Sequence, residues 1–229
     1  MDSNAGITEY PYLTQNEFAR CINEFEQRFG AEMRTGGSKS IKIKGGDTGQ
    51  RRQYLQITRR LYKQDKEKWS DNSSDEEETD ELFDIEDPDP VLPADSAPTY
   101  SKAVEVGWID YHVVYSPSWK VPVLYMCMYM NEQGEDARVV LDATEITNAV
   151  VSDRDVSRAM SAVEFGGALG VQDHPILGNP YMYLHPCHTA TLMRTVGSSF
   201  SDGLNETEYL AAWLSLVGPA VGLTLPSVP

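Results

Sequence analysis

Apolar residues recur at helical spacing early in the chain. Phe18, Cys21, Ile22, Phe25 and Phe29 fall on one stripe. Thr14 and Glu17 precede the stripe at capping-box spacing, where each side chain satisfies a free amide of the first turn. Gly30 follows as a stop signal, so the pattern predicts a helix over 15–29. Later runs change period. A short strand is expected at Ile41–Lys44 and a longer one at Tyr54–Leu61, where Leu55 and Ile57 share a face. Gly107–Ser116 and Val121–Asn131 are aromatic and β-branched runs joined by Ser-Pro-Ser-Trp-Lys, a hairpin length. The second run is apolar on both faces: Val121, Val123, Tyr125, Cys127 and Tyr129 on one, Leu124, Met126, Met128 and Met130 on the other. Such a strand is central, with something packed on each side.

Weaker patterns continue downstream. Arg138–Leu141 is a short strand candidate, and Val156, Met160 and Val163 suggest a helix over 153–165 that ends at Gly166-Gly167. Tyr181–Leu184 is an extended aromatic run that stops at Pro186. A last helix starts near Asn205, capped with Glu208, carries Tyr209, Leu210, Trp213, Leu216 and Val217, and ends at Gly218-Pro219. Strands come mostly in sequence, with helices at the two ends and around Cys187. That order predicts an α+β fold with an antiparallel sheet.

The 229 residues are enough for one domain with a proper core. The formal charge of −16 is unevenly spread. Asp71–Asp95 holds twelve acids and no Lys or Arg, leaving 23 acids against 19 basic residues elsewhere. With few apolar residues and four prolines, 70–98 cannot bury enough surface to offset its ordering entropy, so a disordered acidic insertion is expected there. Ser73 and Ser74 stand directly before acids, a setting that suits an acidophilic kinase. The near-neutral remainder argues against nucleic acid as a partner. Ten Lys or Arg against three acids over Lys39–Lys68 is the one counter-signal, and it either folds near the acidic run or reads as a solvated face. Three scattered cysteines make no disulfide framework and suit a reducing compartment. No apolar run reaches the roughly twenty residues of a membrane span. No cleavable leader pattern opens the chain. A cytoplasmic protein is expected, and the Asn-x-Ser/Thr matches at Asn72 and Asn205 are then chance.

Cys187 is the residue with the most chemistry. The order strand, proline, cysteine, helix start would present its thiol to the positive end of a helix dipole. His185 and His188 flank it and would make the setting electropositive. Two readings stand: an inert packing cysteine, as most buried free cysteines are, and a reactive thiol. Cys21 and Cys127 read as core, the methionines as gap-filling core, and His112 as structural. A zinc site is disfavoured because His185, Cys187 and His188 are too crowded in sequence and no second ligand pair exists at ligand spacing. A cysteine protease could recruit His112 or His174 in space, but no protease signature surrounds Cys187. No phosphate-cradling glycine loop or dinucleotide unit is present, and no cofactor is expected. A thiolate that carries an acyl group fits: it is intrinsically nucleophilic, and its thioester is energised towards an amine.

Three segments together resemble a known family. They are His174-Pro-Ile-Leu-Gly178 with Tyr183-Leu-His185-Pro-Cys187-His-Thr189, the hairpin Tyr111–Tyr125, and the tail Trp213–Leu223. In this order they are similar to the autophagy-specific E2-like conjugating enzymes, in particular the family called autophagy-related protein ten. The resemblance implies a single E2-like domain over 1–229, with a four-stranded antiparallel sheet flanked by helices. It implies that Cys187 accepts a ubiquitin-like autophagy modifier from an E1-like enzyme as a thioester. The modifier would then pass to a lysine of an acceptor protein. The hairpin residues Tyr115, Trp119 and Lys120 are candidates for docking that acceptor. The other reading of the same resemblance is a non-catalytic module of E2-like shape that scaffolds modifier and acceptor. Two departures stand out. Ubiquitin E2 enzymes have His-Pro-Asn upstream of the cysteine, whereas this chain has His174-Pro175-Ile176. His174 is therefore a candidate either for the oxyanion or for a structural turn. Trp119 stands where the family commonly has Tyr, so the ring is kept and the hydroxyl is lost.

Overall fold

A computed structural model describes residues 6–35, 39–45, 53–64, 103–131, 136–150, 169–199 and 204–225. The expected acidic insertion at 70–98, Ser73, Ser74, Asn72 and the helix expected over 153–165 lie outside the described residues. By proximity the chain divides into two units, Met1–Leu61 with Glu105–Pro229, and Tyr62–Val104. Of the second unit only the end of one strand (62–64) and the start of the next (103–104) are described.

Helix α1, Gln15–Thr35, opens with the expected capping box. Thr14 Oγ1 accepts the Glu17 amide at 3.2 Å, and Glu17 Oε2 accepts the Thr14 amide at 2.6 Å. Glu17 Oε1 also takes the Thr8 amide at 2.7 Å, which ties the segment before the helix to its first turn. Burial pushes the Glu17 carboxyl up, but these bonds from Thr14 and Thr8 outweigh it and hold the group down at about 2. The helix runs past Gly30, and Met33 extends the stripe into the core. Gly30 therefore continues the helix instead of ending it.

Among the described residues the sheet has seven strands, not four: β1 Lys39–Lys44, β2 Tyr54–Gln64, β3 Ala103–Ser116, β4 Val121–Met130, β5 Arg138–Val140, β6 Leu169–Asp173 and β7 Pro180–Leu184. Their order is β1-β2-β3-β4-β7-β6, with β5 pairing β4 beside this path. Every pairing with a described register is antiparallel, which agrees with the fold class read from the sequence. The expected hairpin forms with Ser116 opposite Val121 and Gly107 opposite Met130. Gly107 is required at its place, because a Cβ there would stand 2.1 Å from the Tyr129 carbonyl oxygen. Strand β4 is buried from Val121 to Met128, as its two apolar faces imply.

Two helices had different visibility in the sequence. Helix α2, Ala143–Val150, is not among the elements read from the sequence; it is started by Asp142, whose Oδ1 accepts the Glu145 amide at 2.8 Å. Helix α3, Thr189–Gly197, follows the cysteine directly, where a helix start was expected. Strand β6, also not among those elements, is the sheet edge on the β7 side. One sheet face packs against α1 and α4, Glu206–Val217. Phe18, Ile22, Phe25, Phe29, Tyr209 and Trp213 meet Leu55, Ile57, Ile109, Leu124, Met126 and Met182 there. Full burial of each such side chain contributes about 1.5–3 kcal/mol. The opposite face carries a second, smaller cluster of Tyr54, Val114, Val123, Tyr125, Cys127 and Tyr181. Among the described residues no helix is long and apolar enough to cross a membrane.

Candidate active site around Cys187

The cysteine sits where the strand pattern stops. Strand β7 ends at Leu184, and Pro186–His188 form a single 3-10 turn before α3. Pro186 is buried at the first position of this turn, where its missing amide leaves no partner unmet. His185 is the turn's N-cap. Its Nδ1 accepts the Cys187 amide at 3.2 Å, which leaves Nε2 as the ring's donor. Of the three free cysteines, Cys21 and Cys127 are buried and Cys187 is exposed. Burial raises the Cys21 and Cys127 thiols, which keeps both protonated.

Aromatic rings wall one side. The ring of His185 meets Trp119 edge-on with centroids 5.5 Å apart, and Tyr183 at 6.0 Å. Trp119 lies in the hairpin turn and keeps 46% of its surface exposed. The fold thus brings Trp119 within one ring of the Cys187 turn, although the two are far apart in sequence.

The remaining hairpin candidates divide. Lys120 is exposed, has φ 53 in the left-handed region, and sets its Nζ 3.5 Å from Glu9 Oε2. Its carbonyl accepts the Leu13 amide at 2.8 Å. Tyr115 turns inward: its hydroxyl donates to the Leu13 carbonyl at 2.7 Å, and its ring lies 5.7 Å from Phe18.

His174 is 1% exposed. Its Nδ1 accepts the amides of Ile176 at 3.2 Å and Leu177 at 3.1 Å, which holds the turn between β6 and β7. With Nδ1 accepting, Nε2 carries the proton and faces His112 Nδ1 at 3.2 Å. The rings of Tyr54, Tyr125 and Tyr181 close around His174 at 5.0–5.3 Å. Burial pushes the His174 imidazole down to about 4, and its neighbour His112 adds to this. Burial likewise pushes His112 down to about 4, with Lys44 adding to it. The sequence reading of His112 as structural meets this arrangement, though its Nε2 is buried without a partner among the described residues.

Sequence reasoning treated His185 as general surroundings and missed its specific bond to the cysteine amide. The N-cap position directly before a proline is the signal that could have found it. Among the described residues no three His, Cys, Asp or Glu side chains are grouped to hold a metal.

The family model for "Autophagocytosis associated protein, active-site domain" matches residues 17–228. The chain belongs to that family. Matches within the autophagocytosis-associated family include the human protein named ubiquitin-like-conjugating enzyme ATG10. That match is 34% identical over 139 residues, 59% of each chain. The Arabidopsis thaliana protein of the same name is 32% identical over 125 residues, 53% of this chain and 52% of that one. The chain thus spans little more than half the length of the curated relatives it matches. A solved structure titled "Crystal structure of Autophagic E2, Atg10" superposes with a TM-score of 0.49 at 11% identity, over 91% of this chain and 97% of that one.

Proposed function

We propose that this protein is an E2-like conjugating enzyme of autophagy, acting in the cytoplasm through a thioester on Cys187. One observation carries the reading: in a member of this family, the cysteine exposed at the start of a helix is the one in the His-Pro-Cys turn. The names of the relatives support the same class of activity. We also propose that residues 1–229 form one conjugating domain, with 70–98 as an insertion between β2 and β3.

In the first step the Cys187 thiolate attacks the thioester carbonyl between an E1-like enzyme and the C-terminal glycine of a ubiquitin-like modifier. The E1 thiolate leaves, and the glycyl group is now joined to Cys187 Sγ. In the second step a deprotonated acceptor lysine attacks the same carbonyl. Cys187 leaves as thiolate and an isopeptide bond forms, with the amine's second proton passing to solvent. Neither step needs a full triad, since the thiolate is both nucleophile and leaving group.

His185 fixes the turn that carries the thiol. Trp119 and Lys120 offer the exposed hairpin tip to the acceptor, while Tyr115 holds that tip from inside. His174 takes the structural one of its two roles, because both ring nitrogens are engaged within the fold.

The test is incubation with the E1-like enzyme, modifier and ATP, followed by non-reducing gels. Wild type should give an adduct that reducing agent removes, and Cys187→Ala should give none. An adduct absent from wild type, or retained in Cys187→Ala, would leave the scaffold reading in its place.

A further inference from the structure

The segment before α1 touches both sides of the site. At the hairpin, Leu13 donates its amide to Lys120 and accepts the Tyr115 hydroxyl, and Glu9 faces the Lys120 ammonium. At α3, the Tyr10 hydroxyl donates to the Met193 carbonyl. The Tyr10 ring lies so close over Gly197 that a Cβ there would come within 2.5 Å. Tyr12 Oη accepts Arg194 Nη2 at 3.0 Å, and the Arg194 guanidinium stands 5.6 Å from the Tyr12 ring centre. The Tyr209 hydroxyl pins the middle of the segment through the Pro11 carbonyl at 2.7 Å, and Glu17 pins its start through the Thr8 amide.

These bonds link the hairpin turn to α3 from outside the sheet, beside the β4–β7 pairing that joins the hairpin strand to the strand before Cys187. Lys120 is the neighbour of Trp119, and α3 begins two residues after Cys187. Lys120 also has the left-handed φ that a side-chain residue rarely holds unless its surroundings impose it. The bond from Leu13 is such an imposition. The Tyr12–Arg194 contact lies on the surface at the other end, where neither group supports the core.

We propose that the Ile7–Thr14 segment is a brace that sets where Trp119 stands relative to the Cys187 turn, with Tyr12 and Arg194 as its positioning pair. Resting on the thioester reading above, the brace serves discharge to an amine and not loading from the E1-like enzyme. Release of the α3 end lets the hairpin tip drift from His185, and the Cys187 turn loses its outer wall. Misplacement of this kind acts on the attack geometry, with losses that grow steeply with distance.

The experiment uses the full chain as wild type, Arg194→Ala, Tyr12→Ala, Trp119→Ala, and each of the first two variants combined with the third. The first readout is the nuclear Overhauser contact between the Trp119 and His185 rings. It should weaken in Arg194→Ala and in Tyr12→Ala while thermal melting stays near wild type. An unchanged ring contact in both variants overturns the brace. The second readout is discharge of the Cys187 thioester to free L-lysine. It should slow about tenfold in either brace variant, with loading unaffected, and neither should slow it further when Trp119 is already Ala. Additive losses in the combined variants, or equal losses in loading and discharge, also overturn it. If wild type never loads, the thioester reading fails, and the ring contact alone decides the brace.

Discussion

The ring of Trp119 stands edge-on to that of His185, with centroids 5.5 Å apart, and His185 holds the amide of Cys187. A hairpin turn and a helix-start turn, distant in the chain, thus share one aromatic contact. The candidate acceptor surface stands one ring away from the turn that carries the candidate nucleophile.

Removal of that ring should act on one step. Trp119→Ala is expected to slow conjugate formation about tenfold while thioester loading stays within about twofold, since acceptor docking and attack geometry depend on the tip. Trp119→Phe should retain most of the rate. Equal loss of loading and transfer in Trp119→Ala, measured by quenched-flow sampling on non-reducing gels, would assign Trp119 to folding instead.

His185 should matter as an acceptor. His185→Ala removes the partner of the Cys187 amide, a loss of about 1 kcal/mol or roughly fivefold in the rates that need the turn. His185→Asn supplies a carbonyl at an N-cap position and should recover part of the rate. The same loading rate for Ala and Asn variants would show that the bond is not what His185 contributes.

Thiol accessibility gives a separate check. In native protein a maleimide should label Cys187 first, with Cys21 and Cys127 reacting only on unfolding, because both are buried and held protonated. Peptide mapping after brief labelling reads this directly. Early modification of Cys127 would contradict the packing of the second core.

Acid should weaken the fold through the paired imidazoles. Both rings titrate near 4 when folded, against 6.5 for a free histidine, so between those values the unfolded chain binds more protons. Their contribution is complete above pH 6.5, falls as pH drops, and is gone below about 4. Each proton gives a slope of at most about 1.4 kcal/mol per pH unit. Urea midpoints measured from pH 7 to 4 should fall steeply in wild type and less steeply in His174→Asn, whose side chain can still accept the turn amides. A wild-type midpoint flat across that window would refute the buried neutral pair.

Much of this was legible in the residues, for identifiable reasons. The α1 stripe, its Thr14–Glu17 box, the Tyr111–Tyr125 hairpin and the capped α4 are local patterns, and local patterns survive folding. Strand β6 was not legible, because Leu169–Asp173 is a short, exposed edge with Val171 57% exposed, and it is a strand through pairing with β7. The other six strands coincide with strand candidates read from local patterns, and the count of four came from the resemblance to E2-like enzymes. Helix α2 carried a readable sign in Asp142 and Glu145, but it is short and its Thr, Asn and Val residues are weak helix formers. The turn bonds of His174 are local, and a turn was one of its two readings; its pairing with His112, 62 residues away, is what no spacing rule reaches.

The central claim is that one sulfur carries the modifier, so the decisive measurement is the attachment site. The Cys187→Ser variant, charged with the E1-like enzyme, modifier and ATP, should trap a more stable oxyester. Peptide mass spectrometry should then find the modifier's C-terminal remnant on the substituted hydroxyl and on no other side chain. A remnant on a lysine or on another cysteine, or no remnant at all, would contradict the account.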